Sequence, residues 1–157
     1  MPGNKRPKKK YKAKHPPGQI VLPKTIRFGQ REENLLMLVP HQELERFREG
    51  LADESTWHTI TMRLDWGCFL SIDHFQNIEV NDKIRDALDA MVAIKERHQR
   101  LGKWGTTGDE FFKIGEALNL VDEMQKNTTR REQEDSLKAM LRLNNALLKE
   151  QKNDQRT

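Results

Sequence analysis

The sequence predicts an all-α protein: a bundle of four main helices, with one or two short helices before them and a flexible basic arm at the N-terminus. Three observations lead to this prediction. Apolar residues recur at spacings of three and four along most of the chain after residue 54. The first 18 residues are rich in lysine and proline, which oppose a helix. No glycine-rich strand–loop–helix unit occurs that would indicate an α/β fold.

The chain begins with the segment that we expect to be a flexible arm, residues 1–18, MPGNKRPKKKYKAKHPPG. Repulsion between its lysines, four prolines and two glycines all act against regular structure. Residues 19–31 predict an extended segment that docks onto the body through its few apolar side chains, which are Ile20, Leu22, Ile26 and Phe28.

A helical domain is predicted for residues 32–152, and it begins with two short helices. The first covers 32–38 and is stopped by Pro40, although a buried strand over 35–39 is an alternative. The second covers about 41–52, where Leu44, Phe47 and Leu51 follow the helical spacing.

Residues 55–76, STWHTITMRLDWGCFLSIDHFQ, predict the central helix, with Asp53 or Ser55 as its N-cap. One apolar stripe consists of Trp57, Ile60, Leu64, Cys68, Ile72 and Phe75. A second apolar set lies on the far side and consists of Met62, Trp66, Phe69 and Leu70. A helix that is apolar on most sides is typical of the centre of a bundle, so we expect the later helices to pack around it.

Three further helices are predicted after a break at 77–80. The first runs over 82–101, with Asn81 as its cap and Gly102 at its left-handed end. The second runs over about 108–126 and opens with a capping box between Thr107 and Glu110. The third runs over about 130–152, where Thr129 and Glu132 repeat that spacing. Its apolar residues are Leu137, Met140, Leu141, Leu147 and Leu148, with Asn144 expected at the rim, and residues 153–157 are expected to fray.

Several single residues carry expectations about packing. Gly67 and Gly115 lie inside helices, and close helix crossing is the simple reason for a glycine there. Trp104, in a glycine-rich loop, is expected to cover one end of the core rather than to anchor a partner. Asp65 and Asp73 are the acids that we expect to be partly buried, with Asp65 paired to Arg63 or to a neighbouring helix.

Charge divides the chain in two. Residues 1–31 hold ten of the 28 basic residues and no acidic residue, so 18 basic residues remain against all 24 acidic residues in 32–157, a net charge of −6. The basic pI of the whole chain, 9.2, therefore results from the lysines and arginines of the N-terminal segment. Such dense positive charge favours binding to phosphates with release of counterions. Tyr11 is placed to stack on an exposed base. The predicted nucleic-acid-binding residues are Lys5, Arg6, Lys8, Lys9, Lys10, Tyr11, Lys12, Lys14, Lys24, Arg27 and Arg31.

No motif predicts a reaction. The chain has no HExxH, CxxC, GxSxG, Walker A or Rossmann pattern, and its histidines do not share a ligand face. We therefore expect no enzymatic activity, no cofactor and no metal site. Cys68 is the single cysteine, so no disulfide forms within the chain, and its place on the apolar stripe predicts an inert core thiol.

The sequence also predicts where the protein resides. The basic start is not followed by an apolar stretch, so we expect no secretory signal. No apolar run approaches the ~20 residues of a membrane span, so we expect a soluble intracellular protein without a membrane partner.

Three stretches carry a resemblance: KRPKKKYKAKHPP, then WHTITMRLDWGCFLSIDHF, then GEALNLVDEM before a leucine-rich last helix. In this arrangement the chain resembles small uncharacterised proteins of bacteriophages, prophages and plasmids, which have a basic start and a helical remainder. The pattern departs from theirs in residues 22–50. The resemblance implies an origin in a mobile element and a bacterial cytoplasm, and it implies no catalytic residues.

The resulting expectation is a non-enzymatic accessory protein of a mobile element whose arm contacts DNA or RNA without reading its sequence. The helical body is then a platform or a homodimer module. The alternative is an interaction protein that inhibits or recruits a host protein, for example a defence complex, through its acidic body. Other acidic partners, a solubilising tail, and an arm that pairs with the chain's own acidic body are the alternative interpretations of the basic segment.

Overall fold

The computed structural model describes residues 30–154, and every regular element within them is helical. The helices are α1 (Gln30–Glu49), α2 (Glu54–Leu70), α3 (Ile78–Leu101), α4 (Gly108–Lys126) and α5 (Arg130–Asp154), and a π-helical turn (Ser71–Phe75) extends α2. Residues 1–29, which include the predicted arm, and residues 155–157 lie outside the described residues. The all-α class is confirmed, with five helices in the described part.

The core is organised on α2, which packs against α1, α3, α4 and α5. Its side chains Ile60, Leu64 and Leu70 expose no surface. The other helices supply the rest of the buried apolar set: Leu44, Phe47, Ile84, Ala87, Ala90, Met91, Ile94, Ile114, Ala117, Leu118, Val121 and Met124. Full burial of this many apolar side chains is the dominant favourable term in folding.

Helices α2 and α4 cross closely at Gly67. A Cβ atom on Gly67 would overlap the side chain of Val121, so only glycine allows this approach. Gly115 differs, because a Cβ there would lie 3.6 Å from Cδ2 of Leu44, an ordinary contact. The expectation of a close crossing therefore holds at Gly67 and is wrong at Gly115.

The apolar stripe predicted for the central helix is buried only over its first part, although the apolar spacing in the sequence continues to Phe75. Trp57 and Leu64 are buried, but Ile72 is 55% exposed and Phe75 is 38% exposed. The π-helical turn Ser71–Phe75 places an extra residue in one turn. The following side chains therefore rotate off the face that α2 buries, and the prediction that Ile72 and Phe75 line the core is wrong.

Helix α1 continues through Pro40, so the prediction of two short helices is wrong, as is the alternative of a strand over 35–39. Proline in a helix interior removes one hydrogen bond and costs roughly 3 kcal/mol. Pro40 is buried in line with Met37, Leu44 and Phe47, at spacings of three and four. Burial of this apolar stripe against the other helices offsets the cost of a proline inside the helix. Helix propensity, which describes an isolated helix, does not include this contribution.

The predicted caps are largely confirmed. Asp53 accepts a hydrogen bond from the backbone N–H of Thr56 at the start of α2. Thr107 and Glu110 form the reciprocal capping box of α4. Gly102 ends α3 in the left-handed conformation, with φ of 70°. At the start of α5, Thr129 and Glu132 exchange the same pair of hydrogen bonds.

The turn between α2 and α3 is shorter than predicted. Asn77 caps α3 through a hydrogen bond from the backbone N–H of Val80, and the helix begins at Ile78. Asn81 is therefore not the cap. It lies inside α3, where its Nδ2 donates to Oγ of Ser71 at 2.8 Å and ties the helix to the π-helical turn.

Each tryptophan closes a different junction. Trp57 Nε1 donates to the carbonyl of Met91 in α3 at 2.7 Å. Trp66 Nε1 donates to the carbonyl of Gln133 in α5 at 3.3 Å. Trp104 packs partly buried against the core and stacks on His98, with ring centroids 3.9 Å apart. Trp104 therefore covers one end of the core, as predicted.

Helix α5 packs on α2 only over its first half, where Gln133, Ser136 and Met140 are buried. From Leu141 to Lys152 each residue is exposed except Asn144, which is half-buried. Of the apolar residues predicted for this helix, only Met140 is buried; the leucines lie on the surface. No helix within residues 30–154 is both long enough and apolar enough to cross a membrane.

Candidate functional site

The predicted nucleic-acid-binding residues lie almost entirely outside the described residues. Lys5 to Arg27 precede the described part of the chain, and Arg31 lies in the first turn of α1, where its backbone alone is described. The structure therefore brings none of the predicted site residues together. What it does describe is the acidic body that accompanies them.

Ion pairs within the body engage many of its basic side chains. Three of these pairs join different helices, Arg63 with Asp122, Lys83 with Glu116 and Arg97 with Glu110, and a fourth joins Arg46 of α1 to the N-cap residue Asp53. The others lie within single helices: Arg46–Glu43, Arg48–Glu45, Lys126–Glu123, Arg131–Asp135 and Lys138–Glu134. These cations are matched by carboxylates, and the net charge of −6 over 32–157 means that the body as a whole does not attract a phosphate backbone.

A partly buried charged cluster joins three helices at Asp122. Its two carboxylate oxygens contact His41 Nε2 of α1 at 2.8 Å and Arg63 of α2 at 2.8 Å. Burial lowers the pKa of Arg63, and the hydrogen bond to Asp122 acts in the opposite direction. The guanidinium also lies 4.9 Å from the centre of the Trp66 ring. A charge this poorly solvated needs its counterion, so the cluster holds α1, α2 and α4 together.

Two titratable groups of α2, Cys68 and Asp65, have pKa values that burial raises. Burial raises the pKa of the Cys68 thiol to about 11, and the nearby carboxylate of Asp65 adds to the rise. A thiol with this pKa stays protonated at neutral pH and is a weak nucleophile. Burial also raises the pKa of Asp65. Asp65 is half-buried as predicted, but Arg63 pairs with Asp122 instead, and Asp73 is exposed, contrary to expectation.

No metal centre is formed by the side chains that the structure describes. Within that part of the chain, no three His, Cys, Asp or Glu side chains are grouped closely enough to hold an ion. The candidate site that the described residues of the body support is a surface.

That surface, the corner patch, consists of Ile72, Phe75 and Ile78 at the α2–α3 turn. Ile78 is the most exposed large apolar side chain of the described residues, at 77%. Ile72 and Ile78 line a crevice of about 420 Å³ whose walls are largely apolar. Exposed apolar groups in such a cluster are typical of interaction sites.

The backbone under the corner patch has two uncommon features. It contains the π-helical turn, and Gln76 has a positive φ of 49°, a conformation that non-glycine residues adopt rarely. Hydrogen bonds hold this geometry: Ser71 Oγ donates to the carbonyl of Cys68 at 2.8 Å, and Asn81 donates to Ser71. Strained backbone maintained in this way occurs often at functional sites.

Exposed acidic residues lie close in sequence to the corner patch. Asp73 is exposed beside it, and Glu79 and Asp82 are exposed in the first turns of α3. Two further exposed carboxylates, Asp86 and Asp89, continue the row along α3 at helical spacing. The patch is therefore an apolar surface with a negative rim, which suits a basic and partly apolar segment of another protein.

Sequence reasoning missed the corner patch for two reasons. It placed Ile72 and Phe75 in the core, because an uninterrupted α-helical period ran through them. It also placed Ile78 in a break between helices. The residue that indicates the correct start of α3 is Asn77. Asparagine is a preferred N-cap residue, and the Asn77 side chain accepts a hydrogen bond from the backbone N–H of Val80, three residues later.

Comparison with known proteins found no match to the chain among family models, curated proteins or solved structures.

Proposed function

We propose that the protein is a non-enzymatic accessory protein of a mobile genetic element and that it contacts nucleic acid through its basic N-terminal segment. The observation that carries this proposal is the division of charge: ten basic and no acidic residues in 1–31, against a net charge of −6 in 32–157. The excess of acidic residues in the body supports it, because it leaves the N-terminal segment as the part of the chain with net positive charge.

The mechanism is electrostatic anchoring. Seven basic residues lie within positions 5–14, and neutralising phosphates with them releases condensed counterions. If all seven engage a duplex, the logarithm of the binding constant falls with the logarithm of salt concentration with a slope of about −6. Tyr11 adds stacking on unpaired bases, which favours single strands. The acidic body opposes the approach of phosphate and keeps the affinity modest at physiological salt.

A full-length triple variant, Lys8→Gln, Lys9→Gln and Lys10→Gln, tests this proposal by salt titration on labelled duplex and single-stranded oligonucleotides. Removing three phosphate contacts is expected to weaken binding and to reduce the duplex slope by about 3. The matched control is Arg100→Gln, Lys103→Gln and Lys113→Gln, which removes the same charge from exposed positions of the body. Equal effects of the two triples would show that only net charge matters and would contradict the proposal.

A second candidate function rests on the corner patch: the protein binds a host protein and inhibits or recruits it. Ile72, Phe75 and Ile78 present an apolar surface within a negative rim, and Gln76 holds the turn in a strained conformation. This arrangement fits a short basic segment that carries one or two large apolar side chains. Apolar contacts at the centre then supply affinity, and the rim carboxylates supply orientation and rate of association.

Affinity capture from a nuclease-treated bacterial host lysate tests this second function. The full chain is expected to retain a protein that the double variant Ile72→Ser/Ile78→Ser no longer retains. The control is Val92→Ser/Leu101→Ser, which removes two other exposed apolar side chains, 51% and 60% exposed, from α3. Capture that survives in the patch variant, or is lost equally in the control, would exclude the corner patch as the binding surface.

A further inference from the structure

The N-terminus of α1 lies at the end of the bundle that carries the corner patch. Helices α1 and α2 pack as antiparallel neighbours, since only the short turn at residues 50–53 joins them. His41 and Arg63 contact the two oxygens of one carboxylate of α4, so they lie at the same level along the pair. From that level, α1 runs back to Gln30 and α2 runs on to Phe75, about 17 Å in each case. The chain therefore enters α1 at the same end as the corner patch.

The stretch that leads into α1 matches the corner patch in chemistry. Residues 19–29, QIVLPKTIRFG, combine large apolar side chains with two cations, Lys24 and Arg27, and they contain no acidic residue. Neighbouring helices lie about 10 Å apart, whereas eleven residues can span roughly 36 Å. This stretch is therefore long enough to cross from α1 to the α2–α3 turn.

The charge beside the corner patch is opposite to that of residues 19–29. Residues 72–90 hold five acidic and two basic residues, and Lys83, one of the two, is paired with Glu116. Asp82 follows Ile78 by four residues in α3, so both exposed side chains lie on one face of that helix. A segment seated on the patch thus meets apolar groups and carboxylates side by side, which suits the composition of residues 19–29.

We propose that residues 19–29 cover the corner patch of their own chain in the free protein. Ile26 and Phe28 occupy the apolar surface, and Lys24 and Arg27 lie toward the carboxylates of α3. The tether to α1 holds the segment at an effective concentration in the millimolar range, so a weak contact suffices. The contact does not depend on nucleic-acid binding. It is autoinhibitory, because a host protein that uses the patch has to displace the segment.

Limited trypsin digestion of the full chain, without nucleic acid, tests the proposal. Trypsin cleaves after Lys24 and Arg27, and the rate follows the fraction of molecules in which these sites are uncovered. The patch variant Ile72→Ser/Ile78→Ser is expected to speed cleavage at both sites roughly 10-fold. Cleavage after Lys14, in the predicted arm, is the internal reference and should keep its rate.

Two further variants separate the patch from other surfaces. Val92→Ser/Leu101→Ser is the control, because it removes exposed apolar side chains of α3 outside the patch and should leave every cleavage rate unchanged. Asp82→Asn/Asp86→Asn removes two exposed carboxylates and should speed cleavage at the two covered sites by roughly 3-fold, the size expected for exposed ion pairs.

A reciprocal measurement leaves the folded body unaltered, so it remains decisive if the patch variant is less stable. The double variant Ile26→Ser/Phe28→Ser should shift the Cδ1 methyl resonances of Ile72 and Ile78, because it uncovers them. The methyl resonance of Ile60, which exposes no surface, should stay in place.

Three results would overturn the proposal. The first is cleavage at Lys24 and Arg27 at the same rate in the wild type and the patch variant, or patch methyl resonances that do not respond to Ile26→Ser/Phe28→Ser. The second is cleavage that slows as protein concentration rises, which would assign the covering segment to a second copy. The third is a wild-type chain that is cleaved freely until a host protein binds the patch. None of them bears on the salt titration of nucleic-acid binding.

Discussion

Helix α2 and the second half of α5 are both rich in large apolar side chains, but their surroundings differ. Leu64 of α2 exposes no surface and is enclosed by four neighbouring helices. Leu148 of α5 is 55% exposed, and its stretch of helix has no such enclosure. The first set of leucines stabilises the fold of one chain, whereas the second set can contribute only if something outside the chain covers it. Apolar periodicity therefore has two meanings, and neighbours decide between them.

The largest expected effect is at the enclosed helix. Leu64→Ala removes a fully buried side chain and leaves a cavity, which should lower the free energy of unfolding by about 3 kcal/mol. Urea denaturation measures this loss. Leu147→Ala, on the exposed stretch of α5, is the matched control and should change the value by less than about 0.5 kcal/mol in dilute protein. Similar losses at both positions would remove the distinction between the two regions.

The second largest effect on stability is expected at Gly67, where α2 and α4 cross closely. Gly67→Ala introduces a Cβ that overlaps Val121, so it should lower the free energy of unfolding by about 2 kcal/mol. Gly115→Ala is the control, at a glycine of α4 that faces Leu44 of α1. Its Cβ meets only an ordinary contact, and alanine favours helix, so thermal unfolding should show a gain of up to ~1 kcal/mol. A stable Gly67→Ala variant would contradict the close approach of α2 and α4.

A smaller effect is expected at the cap of α4. Burial alone would raise the pKa of Glu110, but hydrogen bonds from Arg97 and Thr107 hold it below its ordinary value of 4.5. The lowered pKa means that ionised Glu110 stabilises the fold above pH 4.5, and this contribution disappears as pH falls through the lower folded value. Glu110→Gln should cost about 1 kcal/mol at neutral pH.

The pH dependence distinguishes this cap from a general charge effect. The wild-type chain should lose the Glu110 contribution below pH 4.5, whereas Glu110→Gln should lack that part of the acid response. Glu96→Gln removes an exposed carboxylate of α3 and should leave the acid response as in the wild type. Denaturant unfolding across the acidic range gives both comparisons, and identical curves for Glu110→Gln and the wild type would contradict the assigned role.

The smallest expected effect is in dynamics. Amides of residues 141–152 should exchange with solvent faster than those of residues 57–70, because the second half of α5 opens without disturbing the core. Hydrogen exchange measured at rising protein concentration sharpens the comparison. A rise in protection that is confined to 141–152 would mean that a second copy covers this stretch, whereas constant protection over both ranges would mean that the stretch stays uncovered. Protection of 141–152 equal to that of α2 in dilute protein would contradict the difference between the two regions.

The features that sequence predicted well are local. Thr107, Glu110, Asp53 and Gly102 act within one turn of their own helix, so residue type and spacing suffice to predict them. The burial of Leu64 was predicted because α2 is apolar on most of its surface. The nucleic-acid-binding residues proposed from sequence precede the described part of the chain, and the structure adds no geometry to them.

The features that sequence missed depend on tertiary packing. Pro40 is a helix breaker by propensity, and only the burial of its stripe lets α1 pass through it. The π-helical turn has no signature in residues 71–75, because it is held in part by a hydrogen bond that Asn81, in α3, donates to Ser71. The exposure of Leu148 was equally out of reach, because helical periodicity describes one face and contains no information on what lies opposite.

The three tryptophans make the packing of this protein optically accessible. Trp57 reports on the contact of α2 with α3, Trp66 on the contact with α5, and Trp104 on the loop before α4. Fluorescence of variants that retain a single indole would follow each contact separately during unfolding. Emission from Trp66 that shifts before emission from Trp57 would mean that α5 detaches while the rest of the core is still intact.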